Sequence, residues 1–172
     1  SITGIISDGD SAAILTKAGS GTLTLSGDNT FTGAVTVNAG ILSITHADSL
    51  GTTDGAATVA DGAVLQISNA INVADAITIS GTGISNNGAI RSTSGSNTLS
   101  GQITLAAHAE IQTDANTLTL NVSSGSAMTA SNKNITFDGS GDITVADPIA
   151  TGSGTLTKSG SGTLTLSAAN TY

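Results

Sequence analysis

The chain of 172 residues contains no cysteine, no tryptophan, one proline, one tyrosine and two phenylalanines. Without cysteine there are no disulfides, no thiolate zinc ligands and no thiol nucleophile. A single proline, with glycines that follow no three-residue period, excludes a collagen triple helix. Aromatics at 2% leave little to fill an irregular core. The 38% of hydrophobic residues must therefore line a narrow interior, as layers of Ile, Leu, Val and Ala. Charge is also sparse. Four basic residues (Lys17, Arg91, Lys133, Lys158) stand against twelve acidic ones, for a net charge of −8 and a pI near 4.1. They cannot form a phosphate-binding stripe, so no nucleic acid is expected as a partner and an anionic membrane would repel the chain. No apolar run approaches the roughly 20 residues needed to cross a bilayer, so no membrane insertion by this segment is expected. No leader-like stretch opens the chain, and a targeting segment for an exported parent is expected outside it.

What is abundant is Thr, Ser, Gly and Asn, punctuated by short aliphatic pairs. Units of apolar-polar-apolar type recur: Leu23-Thr24-Leu25, Val35-Thr36-Val37, Leu42-Ser43-Ile44, Leu65-Gln66-Ile67, Ile71-Asn72-Val73 and Ile77-Thr78-Ile79. They continue as Ile103-Thr104-Leu105, Leu118-Thr119-Leu120, Ile135-Thr136-Phe137, Ile143-Thr144-Val145 and Leu164-Thr165-Leu166. Alternation puts both aliphatics on one side of a strand and the polar residue on the other. Branching at Cβ favours the same state. No stretch shows a 3.6-residue period, so the chain is read as all-β. Gly, Asn, Asp and Ser fill the gaps, as in Asp61-Gly62, Asn86-Asn87-Gly88 and Ser94-Gly95-Ser96-Asn97. Strands this short, with starts often 6 to 8 residues apart as at 65, 71 and 77 or at 103, 111 and 118, do not suit a sandwich. They predict a right-handed, three-sided parallel β-helix of about seven or eight coils, each of roughly 20 to 25 residues and stacked about 4.8 Å apart. Residues 1–172 are read as a single solenoid module.

One phrase occurs twice. Residues 15–31 return at 156–172 with thirteen of seventeen identical, 141 positions later. Its recurring positions are Gly19, Gly21, Leu23, Leu25, Asn29 and Phe31, matched by Gly160, Gly162, Leu164, Leu166, Asn170 and Tyr172. Self-similarity at a fixed offset marks repeat architecture, and the chain is expected to be a piece of a longer tandem array. The glycines are expected at corners and the leucines inside. Asn29 and Asn170 are expected where stacked amides bond between coils. The first copy continues to give L-T-K-x-G-S-G-T-L-T-L-S-G-x-N-T-F-T-G-x-V-T-V-N-A-G-I-L-S-I over residues 15–44. It resembles the passenger-associated transport repeat of bacterial autotransporters, also called the autotransporter-associated β-strand repeat. Ala60-Asp61-Gly62-Ala63-Val64-Leu65 looks like a degenerate coil of the same kind. The resemblance implies a parallel β-helix displayed on the bacterial surface or released, in which the repeat assists folding during export. It brings no catalytic residues.

Candidate chemistry is thin. His108, Glu110 and Asp114 lie close in sequence, and two-residue spacing would put His108 and Glu110 on one strand face as an acid–base pair. A carbohydrate-active β-helix enzyme would gather such acids with Arg91 in a groove; surface decoration is the plainer reading, and no enzyme and no cofactor are expected. His46 beside Asp48 reads as solvated. Asp8 with Asp10, and Asp138 with Asp142, space oxygen donors closely enough to leave calcium open, although turns explain both. Asn121-Val122-Ser123 and Asn134-Ile135-Thr136 match the glycosylation pattern within stretches that read as strand. Outward threonines on one flat face would suit ice, but Ser43, Gln66 and Asn72 are expected to interrupt any such row. The function expected is a stalk or filament module of an adhesin, with neighbouring copies of the module as head-to-tail partners. A self-associating face, meeting identical rods, or a face for surface glycans is the alternative.

Overall fold

A computed structural model describes residues 1–172. Its strands are two to six residues long, apart from one of eleven, so each can contribute to only one wall of a coil. On the first face, Leu15–Lys17, Val35–Val37, Ala57–Val59, Ile77–Gly81, the start of Ile103–Thr113, Met128–Ala130 and Ile149–Ala150 pair in that order. The second face stacks Thr22–Leu25, Gly40–Ile44, Ala63–Ser68, Ile90–Ser94, the end of Ile103–Thr113, Ile135–Asp138 and Leu156–Lys158. The third is shorter: Asn72–Val73, Asn97–Leu99, Thr117–Leu120, Asp142–Val145 and Leu164–Leu166. Every one of these pairings is parallel and joins a strand to its counterpart one coil away. The chain is a parallel β-solenoid of about seven turns, as its sequence predicts. First-face strands begin at 15, 35, 57, 77, 103, 128 and 149, so a coil takes 20 to 26 residues.

The registers explain why the chain stacks. On the second face Leu23, Leu42, Leu65, Ile90, Ile111 and Phe137 form one inward row. The next position outward runs Thr24, Ser43, Gln66, Arg91, Gln112 and Asp138. Leu42, Leu65, Ile90, Ile111 and Phe137 are fully buried. Burial of such a side chain stabilises by about 1.5–3 kcal/mol, and only a neighbouring coil provides it. Leu23 is half-buried because it belongs to the first coil. Ala63-Val64-Leu65 pairs with Gly40-Ile41-Leu42, so the degenerate coil read from 60–65 is the next rung above the repeat.

Four expectations are corrected. The strands expected to start at 103 and 111 are one strand, Ile103–Thr113, which turns the corner with a register shift between Leu105 and Ala109. Ala106-Ala107-His108-Ala109 holds no Gly, Asn or Pro to end it. The first two coils have no strand where later coils have a third one: around Asn29–Phe31 the chain is irregular, and around His46–Leu50 it turns. Asn121 and Asn134 lie just outside the strands. Finally, Ser43 and Gln66 sit on the second face and Asn72 on the third. They do not interrupt the first face, where Thr16, Thr36, Thr58, Thr78, Thr104 and Thr129 form an unbroken outward row.

Candidate functional site

The repeated phrase builds a closed structural unit around a lysine. Lys17 occupies an inward position of the first face, in the row of Val37, Val59 and Ile79, yet it is only 6% exposed. Its ammonium bends into the corner and donates to the carbonyls of Gly19 at 2.7 Å, Ala39 at 2.9 Å and Ala18 at 3.3 Å. Three donors meet three acceptors, which is what a buried ammonium requires. Two acceptors belong to its own corner and the third to the coil above. Gly40 lies directly over this clamp with φ +70°. A Cβ there would sit 2.4 Å from the Gly21 carbonyl, 2.5 Å from that of Gly19 and 2.7 Å from Nζ. The spacing from L-T-K-x-G to N-A-G is thus the distance from a clamp to its lid.

Asn29 performs the same service at the next corner. It is buried; its Oδ1 accepts from the Ile6 amide at 2.8 Å and its Nδ2 donates to the Ser49 carbonyl at 2.8 Å. It ties three coils by backbone bonds, in place of the stacked amides expected from the sequence. Phe31 is buried beside it, and Gly51 (φ +91°) leaves the ring its space, since a Cβ there would lie 2.9 Å from two ring carbons.

The second copy repeats this chemistry on different walls. Leu156–Lys158 pairs with Ile135–Phe137 on the second face, whereas Leu15–Lys17 lies on the first. Leu164–Leu166 lies on the third face, whereas Leu23 and Leu25 lie on the second. Thr171 bridges Ala150 of the first face. Lys158 donates to the carbonyls of its own corner, Ser159 and Gly160, and to none across coils. The Asn170 Oδ1 accepts from the Ile149 amide at 2.9 Å, but its Nδ2 turns back to the Ala168 carbonyl. Gly162 presses on the coil below, where a Cβ would meet the Gly141 carbonyl at 1.9 Å, while Gly21 has open space around it. Leu164 and Leu166 are half-buried and Tyr172 is 48% exposed.

The residues considered for acid–base work do not converge. The His108 Nδ1 accepts from the Asn134 amide at 2.9 Å. Asp114 is held by Arg91, with Nη2 at 2.8 Å and Nε at 2.9 Å, and by the Gln112 amide at 2.7 Å. Glu110 is 7% exposed with an unpartnered Oε1. Burial, then Asp138, push its carboxyl above the ordinary range, while the Gly88 amide draws it back. No cavity opens beside them. Three of the four acids weighed for calcium, Asp8, Asp138 and Asp142, bond to corner groups, and Asp10 is exposed. Asp8 accepts from the Ala13 amide and from the amide and hydroxyl of Thr32, and these bonds hold its carboxyl below the ordinary range. Asp138 accepts from the Gly139 amide and Asp142 from the Thr163 amide. Asp28, His46 and Asp48 come together at successive corners, with ligand atoms within 4.8 Å of one another. Asp75 had no signal in the sequence. It is 3% exposed, and burial, with Asp48 adding repulsion, pushes its carboxyl up to about 6.

Against known proteins, the repeat itself is what is recognised. Residues 15–44 and 156–172 match the passenger-associated-transport-repeat family. No curated protein and no solved structure matches the chain. The two matched segments are the two lysine-clamp units, so the resemblance read from the sequence coincides with a physical unit of the solenoid.

Proposed function

We propose that this chain is a structural module of a bacterial autotransporter passenger, a stalk segment that extends an adhesin at the cell surface or in the extracellular medium. The observation that carries the reading is the unbroken first-face ladder of seven strands, together with a passenger repeat at 15–44 and again at 156–172. A solenoid adds length by adding coils, each stabilised only by its neighbours, and so suits a spacer. At about 4.8 Å per rung the seven turns make a rod on the order of 35 Å. Sheet edges at both ends need covering, and neighbouring modules head-to-tail supply matching strands. The clamp also supports a role in folding during export. Lys17 and Asn29 bind backbone groups of adjoining coils, so an ordered coil offers the incoming one a template. A glycan-binding face has less support, because Phe31 and Phe137 are buried and only Tyr172 could stack on a sugar.

The test is a tandem fusion of two copies examined by small-angle scattering. The stalk reading expects the maximum dimension to rise by one rod length. A fusion whose halves fold back, with little gain in length, contradicts it.

A further inference from the structure

The third wall is the least closed side of the first two coils. Its ladder begins only at Asn72–Val73. Before that, scattered bonds join the irregular chain around Asn29–Phe31 to the turn at His46–Leu50, such as Asn29 amide to Asp48 carbonyl at 3.1 Å. At this corner the side chains of Asp28, His46 and Asp48 converge, with a ligand atom of each within 4.8 Å of the others. Asp28 precedes the second coil, and His46 and Asp48 belong to it. The His46 Nδ1 accepts from the Asp48 amide at 3.2 Å, so it carries a lone pair, and it stands 3.7 Å from the Asp48 carboxylate. No lysine or arginine pairs with either acid. Asp75, in the third coil, is 3% exposed, and its carboxyl bonds to no residue but its own amide. It lies close enough to Asp48 for the two charges to repel. Three carboxylates and an imidazole thus gather with no countercharge.

We propose that Asp28, His46 and Asp48 form a binding site for a divalent cation of the zinc type, with Asp75 as the buried charge behind it. Two carboxylate oxygens and one imidazole nitrogen are ligands that zinc accepts, with water in the fourth position. A tetrahedral zinc holds its ligand atoms about 3.4 Å apart, so these partly exposed side chains need only small rotations to close on it. Calcium prefers six to eight oxygens and gains little from two carboxylates and a nitrogen. The cation ties the first coil to the second on the wall where their strands do not pair. It also supplies the positive charge that Asp28, Asp48 and Asp75 lack. The second copy of the phrase has Ala169 where the first has Asp28, and His46 and Asp48 lie beyond the matched residues 15–44. The site is therefore a property of this chain and not of the repeat.

The site goes beyond the stalk reading and is tested separately from it. Zinc chloride, and in parallel calcium chloride, is titrated calorimetrically into the whole chain. The proteins are wild type, His46→Gln, Asp28→Ala and the control His108→Gln, which replaces the only other histidine. All three replaced side chains reach solvent, and circular dichroism confirms that the variants fold. The expected result is a single zinc per chain, with calcium at least about tenfold weaker. His46→Gln and Asp28→Ala should each weaken zinc at least about tenfold, and His108→Gln should leave it unchanged. Zinc should also shift the His46 imidazole resonances, and raise the Tm of wild type but not of His46→Gln. No zinc binding, equal loss in His108→Gln, calcium bound as tightly as zinc, or unmoved His46 resonances would overturn the proposal.

Discussion

The two copies of the repeated phrase share thirteen of seventeen residues and differ in where the solenoid puts them. The first starts on the first face and the second on the second face. In the first, Leu25, Asn29, Phe31 and Lys17 are all buried under a following coil. In the second, Leu166, Asn170 and Lys158 are half-buried and Tyr172 is exposed. Local chemistry is nevertheless kept: each lysine donates to its own corner, and each asparagine accepts an amide from the coil below. What differs is the third partner. The phrase therefore encodes a strand–corner–strand unit that works on any wall, and its stability depends on the coil that closes over it.

Equivalent substitutions in the two copies should break this comparison by unequal amounts. The largest effect is expected at the core leucine. Leu25→Asp buries an unpaired carboxylate and should cost about 4 kcal/mol, whereas Leu166→Asp, reachable by water, should cost about 1 kcal/mol. Urea denaturation of both variants measures the difference; equal losses would show that the covering coil is unimportant. Next is the lid. Gly40→Ala forces a methyl onto two carbonyls and Nζ at positive φ, and should cost about 3 kcal/mol in the same measurement.

The clamp comes third. Lys17→Met leaves a buried site without its ammonium and three carbonyls without their donor, and should cost about 2 kcal/mol, while Lys158→Met should cost less than about 1 kcal/mol. Amide hydrogen exchange at Asn38, which bonds to the Lys17 carbonyl, gives a local reading, with faster exchange expected only in the first variant. The smallest expected effect concerns pH. The Asp75 carboxyl titrates at about 6 in the fold against an ordinary 3.8. The folded state thus holds this proton more tightly, which adds stability that is fully present below pH 3.8 and lost as pH rises through 6. Glu110 acts in the same direction. Asp75→Asn should remove part of the fall between pH 4 and 7, worth up to about 2 kcal/mol, and thermal melts across that range would detect it. An unchanged pH profile would place the Asp75 carboxylate in contact with water.

Much of this architecture was legible in the sequence because strand alternation is local. All eleven apolar-polar-apolar units lie in strands, or reach into one as Ile71-Asn72-Val73 does. The second repeat copy and the degenerate coil at 60–65 were legible for the same reason. Which face a strand joins was not, since it depends on the number of corner residues between strands. Thr78 and Gln66 look alike in their triplets, yet one belongs to the threonine row and the other does not. The bent strand Ile103–Thr113 is not legible in the sequence because a corner can be turned without a turn residue. Lys17 offered no hint of its burial, as its acceptors are main-chain carbonyls, one of them 22 residues away. Asp75 looks like any corner aspartate until the neighbouring coils enclose it.

The repeat shifts from one face to the next between its two copies, and through-hydrogen-bond NMR couplings test that shift most directly. Coupling from the Ser159 amide to the Phe137 carbonyl, beside coupling from the Asn38 amide to the Lys17 carbonyl, is the predicted result. Coupling of the Ser159 amide to a first-face carbonyl such as that of Ala150 would put both copies on the same wall and contradict it.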